Sequence, residues 1–206
     1  MSKNFIISEE IPLMEEFPTL QGEGFHNGRF AYFIRIAGCD IGCHWCDVKE
    51  SWPTYNHPVA SYDKILSNAI QSGAKFIVIT GGEPFMYPLE TLCDKLLEKK
   101  FELAVETSGA YPLSGTWHWI CLSPKKNKTP LAEFYNKAHE LKIIIYNKDD
   151  FKWAEKHAAL VNPECKLYLQ VEWSKRDENT PLILDYIKEN PQWKLSLQTH
   201  KYIGIP

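Results

Sequence analysis

Short, continuous apolar runs alternate along this chain with segments whose apolar residues recur at helical spacing. The run at residues 76–80 (FIVIT) is typical of a strand in a parallel sheet that is covered on both faces. The segment at residues 62–70 follows Ser61 and precedes Gly73, and it has the periodicity and the end signals of a helix. The same two patterns predict strands at residues 29–37, 103–106, 119–122, 142–146, 166–171 and 194–197, and helices near residues 89–97, 131–139, 149–161 and 181–190.

This order of elements predicts an α/β fold made of repeated strand–helix units. Because about seven strands and about four or five helices are too few for the eight units of a closed barrel, we expect a modified, incomplete (β/α) barrel. Residues 11–17 and 29–37, separated by the turn-rich residues 18–24, are expected to enter the fold as a hairpin. We expect a single domain over residues 1–206, since the chain has no internal repeat or linker.

Composition and charge exclude several classes of protein. A hydrophobic content of 44% is enough for a sizeable core, and a net charge of −3 lacks the basic footprint of nucleic-acid-binding proteins. Residues 1–10 lack the apolar segment of a secretory signal, and no apolar run approaches the roughly 18 residues of a membrane span. We therefore expect a cytoplasmic protein that binds neither nucleic acid nor membranes. In that reducing compartment Cys93, Cys121 and Cys165 are expected to be buried thiols.

Three further cysteines lie close together in one glycine-punctuated loop. Cys39, Cys43 and Cys46 have the spacing C-x3-C-x2-C. Thiolates suit iron–sulfur clusters, zinc and copper(I), and three thiolates leave one iron of a [4Fe–4S] cluster open to an outside ligand. A structural zinc site would need a fourth ligand, which His44 or Asp47 would have to supply, and unrelated buried thiols are a further alternative. An odd number of cysteines without a secretion signal disfavours a disulfide framework.

Several other short motifs directly follow predicted strands. Since the carboxyl ends of parallel strands meet at one edge of a sheet, and α/β proteins bind ligands there, the shared placement indicates a site. Each motif alone also fits an ordinary turn, a helix cap or a solvated loop. The motifs are Gly81-Gly82-Glu83-Pro84, Glu106-Thr107-Ser108-Gly109, Ser123-Pro124-Lys125 and Gln198-Thr199-His200-Lys201. The QGEG segment that begins at Gln21 favours, by itself, a solvated turn.

The cysteine spacing, with Trp45 directly before the last cysteine, resembles that of the radical S-adenosylmethionine (SAM) superfamily. The resemblance implies a [4Fe–4S] cluster on Cys39, Cys43 and Cys46, with SAM on the open iron. It further implies cleavage of the sulfonium bond, which yields a 5′-deoxyadenosyl radical. The GGEP and ETSG motifs resemble SAM-contacting segments of this superfamily. The SAM contacts implied in this way are Trp45, Gly81, Gly82, Glu83, Glu106, Ser108, Ser123 and Lys125.

The segments PTLQGEG near the start and QTHK-x4-P at the end narrow the resemblance to the 7-carboxy-7-deazaguanine synthase family, over residues 17–206. That family implies a homodimeric lyase that acts on carbon–nitrogen bonds and converts 6-carboxy-5,6,7,8-tetrahydropterin to 7-carboxy-7-deazaguanine, with loss of ammonia. The reaction is a step towards queuosine and other deazapurines. It requires an electron donor such as flavodoxin or ferredoxin.

The family resemblance also implies where the substrate binds. Two segments, residues 18–35 and 198–206, are expected to contact it beside the cluster loop at residues 38–52. Arg35 is implied to clamp the substrate carboxylate through two hydrogen bonds, although an arginine at a strand end is also often a surface residue. The implied contacts are Leu20, Gln21, Glu23, Arg35, Thr80, His200 and Pro206.

One position departs from the family pattern. Members often carry a hydroxyl residue two positions after the last cysteine, where it binds magnesium together with the substrate, but this chain has Val48. Magnesium requires oxygen ligands, so Asp47, a backbone carbonyl or water would have to supply one. We therefore expect weak or relaxed magnesium dependence.

Two other functions remain open on the sequence alone. An activase that installs a glycyl radical on a partner protein shares the cysteine spacing, but it gives no role to QGEG or to the histidine–proline ending. A non-catalytic zinc or iron–sulfur module predicts that GGEP and ETSG are ordinary turns and that SAM does not bind.

Overall fold

A single sheet organises the structure, a computed structural model that describes residues 9–206. The expectation about residues 1–10 therefore lies almost entirely outside the described residues. Within them no helix is long and apolar enough to cross a membrane. The sheet contains nine strands, β1 (Glu10–Leu20), β2 (Phe30–Ile36), β3 (Val59–Ser61), β4 (Phe76–Gly81), β5 (Glu102–Thr107), β6 (Trp119–Leu122), β7 (Glu140–Ile145), β8 (Lys166–Val171) and β9 (Trp193–Ser196).

The strands follow the order β3-β1-β2-β4-β5-β6-β7-β8-β9. β1 is antiparallel to both β2 and β3, which confirms the predicted hairpin at the start of the fold. From β2 to β9 every neighbouring pair is parallel. β1 extends through Pro18, where a turn was predicted. Pro18 lies opposite Tyr32 of β2, and its other side faces no described strand, because β3 pairs only with Glu10, Ile11 and Pro12.

Six α-helices connect or follow the strands in residues 9–206. Ser61 caps the first of them by accepting a hydrogen bond from the Lys64 amide at 3.3 Å, and Gly73 ends it with a φ of 74°, as predicted. The helices are α1 (Tyr62–Ser72), α2 (Glu90–Glu98), α3 (Ala132–Lys137), α4 (Asp149–Ala158), α5 (Arg176–Glu189) and α6 (Thr199–Ile203).

Two helices differ from the prediction. α5 begins at Arg176 rather than near residue 181, because the acidic Asp177 and Glu178 favour a helix start before Pro181. Pro181 is therefore inside the helix instead of at its first turn. α6 was not predicted, since its five residues are too few to show a periodic apolar face.

The sheet is buried on both faces, which explains why its strands read as continuous apolar runs. Ile34 and Ile77 belong to a large outer core that the helices cover, whereas Phe33 and Val78 belong to a smaller cluster on the opposite face. The three cysteines predicted to be buried thiols are indeed buried and free: Cys93, Cys121 and Cys165.

The sheet curls so that its first and last strands approach each other. Gln21, after β1, donates to Glu106 of β5 at 2.9 Å, and the amide of Gly24 donates to Ser196 of β9 at 2.9 Å. In a flat sheet, the seven steps from β1 to β9 would cover about 34 Å, and four residues reach only about 14 Å. The predicted incomplete barrel is therefore confirmed.

Candidate active site

A cavity of about 410 Å³ lies at the carboxyl ends of the strands, on the concave face of the sheet. Every residue that the sequence analysis assigned to the cluster, SAM, substrate or magnesium lies in its wall. The structure therefore brings the separate motifs together, while the role of each residue stays a prediction. These wall residues are Leu20, Gln21, Glu23, Arg35, Cys39, Cys43, Trp45, Cys46, Asp47, Val48, Thr80, Gly81, Gly82, Glu83, Glu106, Ser108, Ser123, Lys125, His200 and Pro206.

The three loop cysteines are half-buried and free, and a turn in which the Cys46 amide donates to the Cys43 carbonyl at 3.1 Å holds two of them near each other. In residues 9–206 no three His, Cys, Asp or Glu side chains are close enough to hold one metal ion. A cubane cluster binds each cysteine to a different iron, so its thiolates stand farther apart than the ligands of a single ion. Burial raises the pKa of Cys39 and Cys43, so cluster assembly must displace protons from these thiols.

The GGEP motif packs directly on the beginning of the cysteine loop. The Gly82 amide donates to the Ile36 carbonyl and the Glu83 amide to the Gly38 carbonyl, both at 2.8 Å. A Cβ atom on Gly82 would lie 2.1 Å from the Gly38 carbonyl oxygen. Glycine is thus required here for contact with the cysteine loop.

Glu83 joins the GGEP motif to the ETSG motif. Its carboxylate is only 1% exposed, and it accepts hydrogen bonds from the Thr107 hydroxyl at 2.5 Å and from the Ser108 amide at 2.8 Å. The Ser108 hydroxyl donates to the same carboxylate. Both carboxylate oxygens are therefore engaged within the protein, and Glu83 fixes the two loops in relation to each other.

Lys125 of the SPK loop extends towards the cysteine loop. Its ammonium donates to the Ser123 hydroxyl at 2.7 Å and lies 5.3 Å from the centre of the Trp45 ring. Burial lowers the pKa of Lys125. These contacts place a cation and an aromatic face side by side in the cavity wall.

The QGEG segment is not a solvated turn, and that interpretation is wrong. Gln21 is only 7% exposed, and its amide oxygen accepts a hydrogen bond from the Glu23 amide at 3.1 Å. A Cβ atom on Gly22 would lie 2.2 Å from Nδ1 of His200, and the Thr199 amide donates to the Gly22 carbonyl at 2.8 Å. QGEG and α6 therefore form one continuous wall. Burial lowers the pKa of His200, which favours the neutral imidazole.

Lys142 of β7 is a site residue that the sequence analysis missed. Its ammonium donates to the carboxylates of Glu23 and Glu106, and the bond to Glu106 is 3.0 Å long. Gln198 donates to the other oxygen of Glu23 at 2.9 Å. The signal available in the sequence was a lone charged residue at the start of the apolar run KIIIY, which would face the cavity.

Arg35 and Thr80 are neighbours in register on β2 and β4. The Nε of Arg35 donates to Glu15 at 2.7 Å, and the guanidinium carbon lies 5.8 Å from the centre of the Phe17 ring. Arg35 thus lies in the cavity wall and forms an ion pair with Glu15, while its contact with the substrate carboxylate stays a prediction.

Most of the oxygen atoms near Val48 that could bind magnesium already accept hydrogen bonds within the protein. The Val48 carbonyl already accepts hydrogen bonds from the Ser51 amide at 3.1 Å and from the Ser51 hydroxyl at 2.7 Å. Asp47 accepts from the ammonium of Lys201 at 2.6 Å and from Gln198 at 3.3 Å. Burial opposes ionisation of Asp47, but Lys201 outweighs it and lowers the Asp47 pKa. The Val48 carbonyl and Oδ2 of Asp47 are therefore already engaged, whereas Oδ1 of Asp47 accepts no hydrogen bond from a described residue.

Comparison with known proteins identifies the family. Residues 33–119 match the Radical SAM superfamily. The chain is 59% identical to the 7-carboxy-7-deazaguanine synthase of Flavobacterium psychrophilum over 198 residues, which cover 96% of this chain and 94% of that protein. Identity to the Synechocystis enzyme of the same name is 48% over 200 residues, 97% of this chain and 96% of that protein. The chain belongs to the 7-carboxy-7-deazaguanine synthase family.

The fold agrees with this assignment. The crystal structure of QueE from Escherichia coli superposes with a TM-score of 0.83 at 31% identity, and the match covers 97% of this chain and 99% of that one. The chain is thus a radical SAM enzyme of queuosine biosynthesis, and the family implies a [4Fe–4S] cluster, SAM and a small-molecule substrate. Three free thiols in one cavity wall fit the cluster. The alternatives of a glycyl-radical activase and a non-catalytic metal module are wrong.

Proposed function

We propose that this chain converts 6-carboxy-5,6,7,8-tetrahydropterin to 7-carboxy-7-deazaguanine, with loss of ammonia, inside the central cavity. One observation carries the proposal: the family-specific residues Glu23 and His200 share a cavity wall with Cys39, Cys43 and Cys46. A substrate held by the first pair would lie beside a cofactor held by the three thiols.

The cofactor half of the cavity would be formed by the motifs that follow β2, β4, β5 and β6. When bound, the cluster and SAM supply abstraction of a hydrogen atom from carbon. Trp45 and Lys125 offer an aromatic face and a cation. Gly81 and Gly82 let the loop after β4 pack directly against the end of β2 and the start of the cysteine loop. Glu83 acts in this proposal by fixing the loop that carries Ser108.

The substrate half would be formed by QGEG, β2 and α6. Glu23 is an ionised carboxylate and therefore accepts hydrogen bonds only, which suits the planar N–H groups of a pterin. Arg35 keeps its two Nη groups free of hydrogen bonds to any described residue, so they suit a substrate carboxylate. His200, held neutral by burial, has one donor and one acceptor nitrogen.

Product analysis tests the proposal. The protein is reconstituted anaerobically with iron and sulfide, then incubated with SAM, the carboxypterin and a strong reductant. We expect 7-carboxy-7-deazaguanine and ammonia, detected by mass spectrometry, and neither from a Cys43→Ala variant that lacks one cluster ligand. A reconstituted wild-type protein that binds SAM but forms no deazaguanine would refute the assigned reaction.

We also propose that turnover depends only weakly on magnesium. Val48 offers no side-chain oxygen, and the carboxylate of Asp47 is paired with Lys201 at 2.6 Å. The wild-type rate should change less than about threefold when EDTA is added, which corresponds to under about 0.7 kcal/mol in the barrier. Val48→Thr, which restores a hydroxyl, should make the rate respond to added magnesium. Collapse of wild-type turnover on chelation, with full rescue by low magnesium, would contradict the proposal.

A homodimer and an external electron donor complete the proposal, and both come from the family resemblance. Sedimentation equilibrium should give twice the 23.8 kDa mass of one chain. Flavodoxin and ferredoxin, each reduced chemically and offered in turn, should differ in the rate of product formation they support.

A further inference from the structure

Lys142 is a buried cation at the centre of the concave face of the sheet. The residue is 3% exposed, and its ammonium contacts the carboxylates of Glu23 and Glu106. A charge removed from water in this way is stable only when it is paired and hydrogen-bonded. The two acidic partners satisfy this requirement, so all three side chains depend on one another.

The two partners come from different parts of the site. Glu23 belongs to the QGEG segment after β1, which faces the substrate half, and Glu106 lies near the end of β5 in the cofactor half. Gln21 adds a second link by donating to Glu106 at 2.9 Å, and Gln198 ties Glu23 to the start of α6 at 2.9 Å. Lys142 therefore stands where three separate segments of the cavity wall meet.

The charge of Lys142 keeps the carboxyl group of Glu23 ionised. Burial by itself raises the pKa of Glu23, but the charge and the hydrogen bond of Lys142 outweigh burial and lower that pKa to about 2. Other titratable groups face Lys142 as well: Glu106 on β5, Cys121 on β6 and Glu140 on β7. Lys125 also acts on Lys142, and His200 and Asp47 also act on Glu23. Lys142 has the largest effect among the charges that act on Glu23.

We propose that Lys142 is a positioning residue for the pterin, which holds Glu23 as a carboxylate that only accepts hydrogen bonds and keeps the QGEG segment aligned with Glu106. This inference rests on the proposed function, in which Glu23 contacts the substrate. Without the ammonium, Glu23 takes up a proton and presents an O–H donor to a ring edge that is itself made of N–H donors. Substrate binding then weakens wherever the pH is low enough to protonate Glu23.

Equilibrium binding of the carboxypterin tests this without turnover. Reconstituted holoenzyme with saturating SAM and no reductant is titrated with the carboxypterin from about pH 6 to about pH 9. Wild type is compared with Lys142→Met and with the control Lys166→Met, which removes an exposed ammonium from the neighbouring strand β8. Protonation of the pterin itself cancels in the ratio of the variant Kd to the wild-type Kd.

We expect the ratio of the Lys142→Met Kd to the wild-type Kd to be large near pH 6 and to fall by about tenfold or more towards pH 9. Each pH unit below the pKa that Glu23 has in the variant weakens pterin binding by about tenfold. Lys166→Met should give a ratio near one throughout. A ratio for Lys142→Met that is near one, or that is constant with pH, would overturn the inference.

Folding of the variants and pterin binding by the wild type provide two further outcomes. If Lys142→Met does not fold, the double variant Lys142→Met/Glu106→Gln removes one carboxylate with the ammonium, and the same dependence of the ratio on pH is expected. Failure of both variants to fold would overturn the inference, since Lys142 would then serve the fold and not the charge of Glu23. Wild-type holoenzyme that does not bind the carboxypterin at any pH would instead refute the proposed function.

Discussion

Gly22 is one of the residues at which the two family-specific segments, QGEG and QTHK, touch. The imidazole of His200 occupies the space that a side chain at this position would need, with Nδ1 only 2.2 Å from an ideal Cβ. Gly82 has the corresponding role against the cysteine loop. At Gly22 a ring, and at Gly82 another backbone segment, lies where a side chain would be. Glycine is therefore needed at these positions for close contact and not for an unusual backbone conformation.

Gly22→Ala should therefore weaken pterin binding. The new methyl group must displace the His200 ring from the cavity wall, and we expect the KM for the pterin to rise by about tenfold, equivalent to about 1.4 kcal/mol. The cluster content should not change, because Gly22 lies in the substrate half. Steady-state kinetics and iron analysis of the reconstituted protein measure the two effects.

Gly73→Ala is the matched control for this substitution. Gly73 ends α1 with a φ of 74° and has open space where a Cβ would lie. Its replacement should reduce the free energy of unfolding by about 1 kcal/mol through backbone strain and leave the KM unchanged. Equal KM values for Gly22→Ala and wild type would show that His200 does not need its present position.

At the scale of elements, the sequence predicted those strands and helices whose pattern is local. β6 and β8 match their predicted bounds, and α1 has the predicted caps. α6 and β3 were missed because five and three residues are too short to display a period.

The residues of the site likewise fall into those that the sequence could predict and those that it could not. Cysteine spacing and strand-end motifs are contiguous in sequence and could be recognised there. Lys142 could not, because its partners Glu23 and Glu106 lie 119 and 36 positions away, and only the fold brings them together.

Glu83→Gln should loosen the connection between the loops that follow β4 and β5. The glutamine has one acceptor oxygen where the carboxylate serves three donors from Thr107 and Ser108, so at least one buried donor loses its partner. We expect the free energy of unfolding to fall by about 1–3 kcal/mol and SAM to bind more weakly. Urea denaturation and SAM titration provide the measurements.

Glu98→Gln at the exposed end of α2 provides the comparison. It should change stability by less than about 0.5 kcal/mol, as surface substitutions usually do. If the two glutamine variants were equally stable, the carboxylate of Glu83 would not be the link between the loops.

For the whole molecule, the buried pair of Glu23 and Lys142 makes stability depend on pH. The pKa of Glu23 is about 2 in the folded chain against an ordinary value of 4.5, so its contribution is complete above about pH 4.5 and is lost as the pH falls towards 2. The contribution is on the order of 3 kcal/mol. The pKa of Lys142 is raised, so its contribution is present below 10.5 and is lost only at higher pH.

Urea denaturation of the metal-free protein between about pH 5 and about pH 3 measures this contribution. The free energy of unfolding should fall with pH more steeply for wild type than for Glu23→Gln, which has no proton to gain at that position. Parallel curves for the two proteins would show that Glu23 has an ordinary pKa in the folded chain.

The hydrogen bond between Glu23 and Gln198 joins positions 175 residues apart. During translation, Glu23 leaves the ribosome long before Gln198. Contacts between residues so far apart in the sequence form late in folding. The three cysteines, in contrast, lie within one short loop. We therefore expect that a nascent or partly folded chain is able to acquire its iron and sulfide before the chamber for the pterin exists.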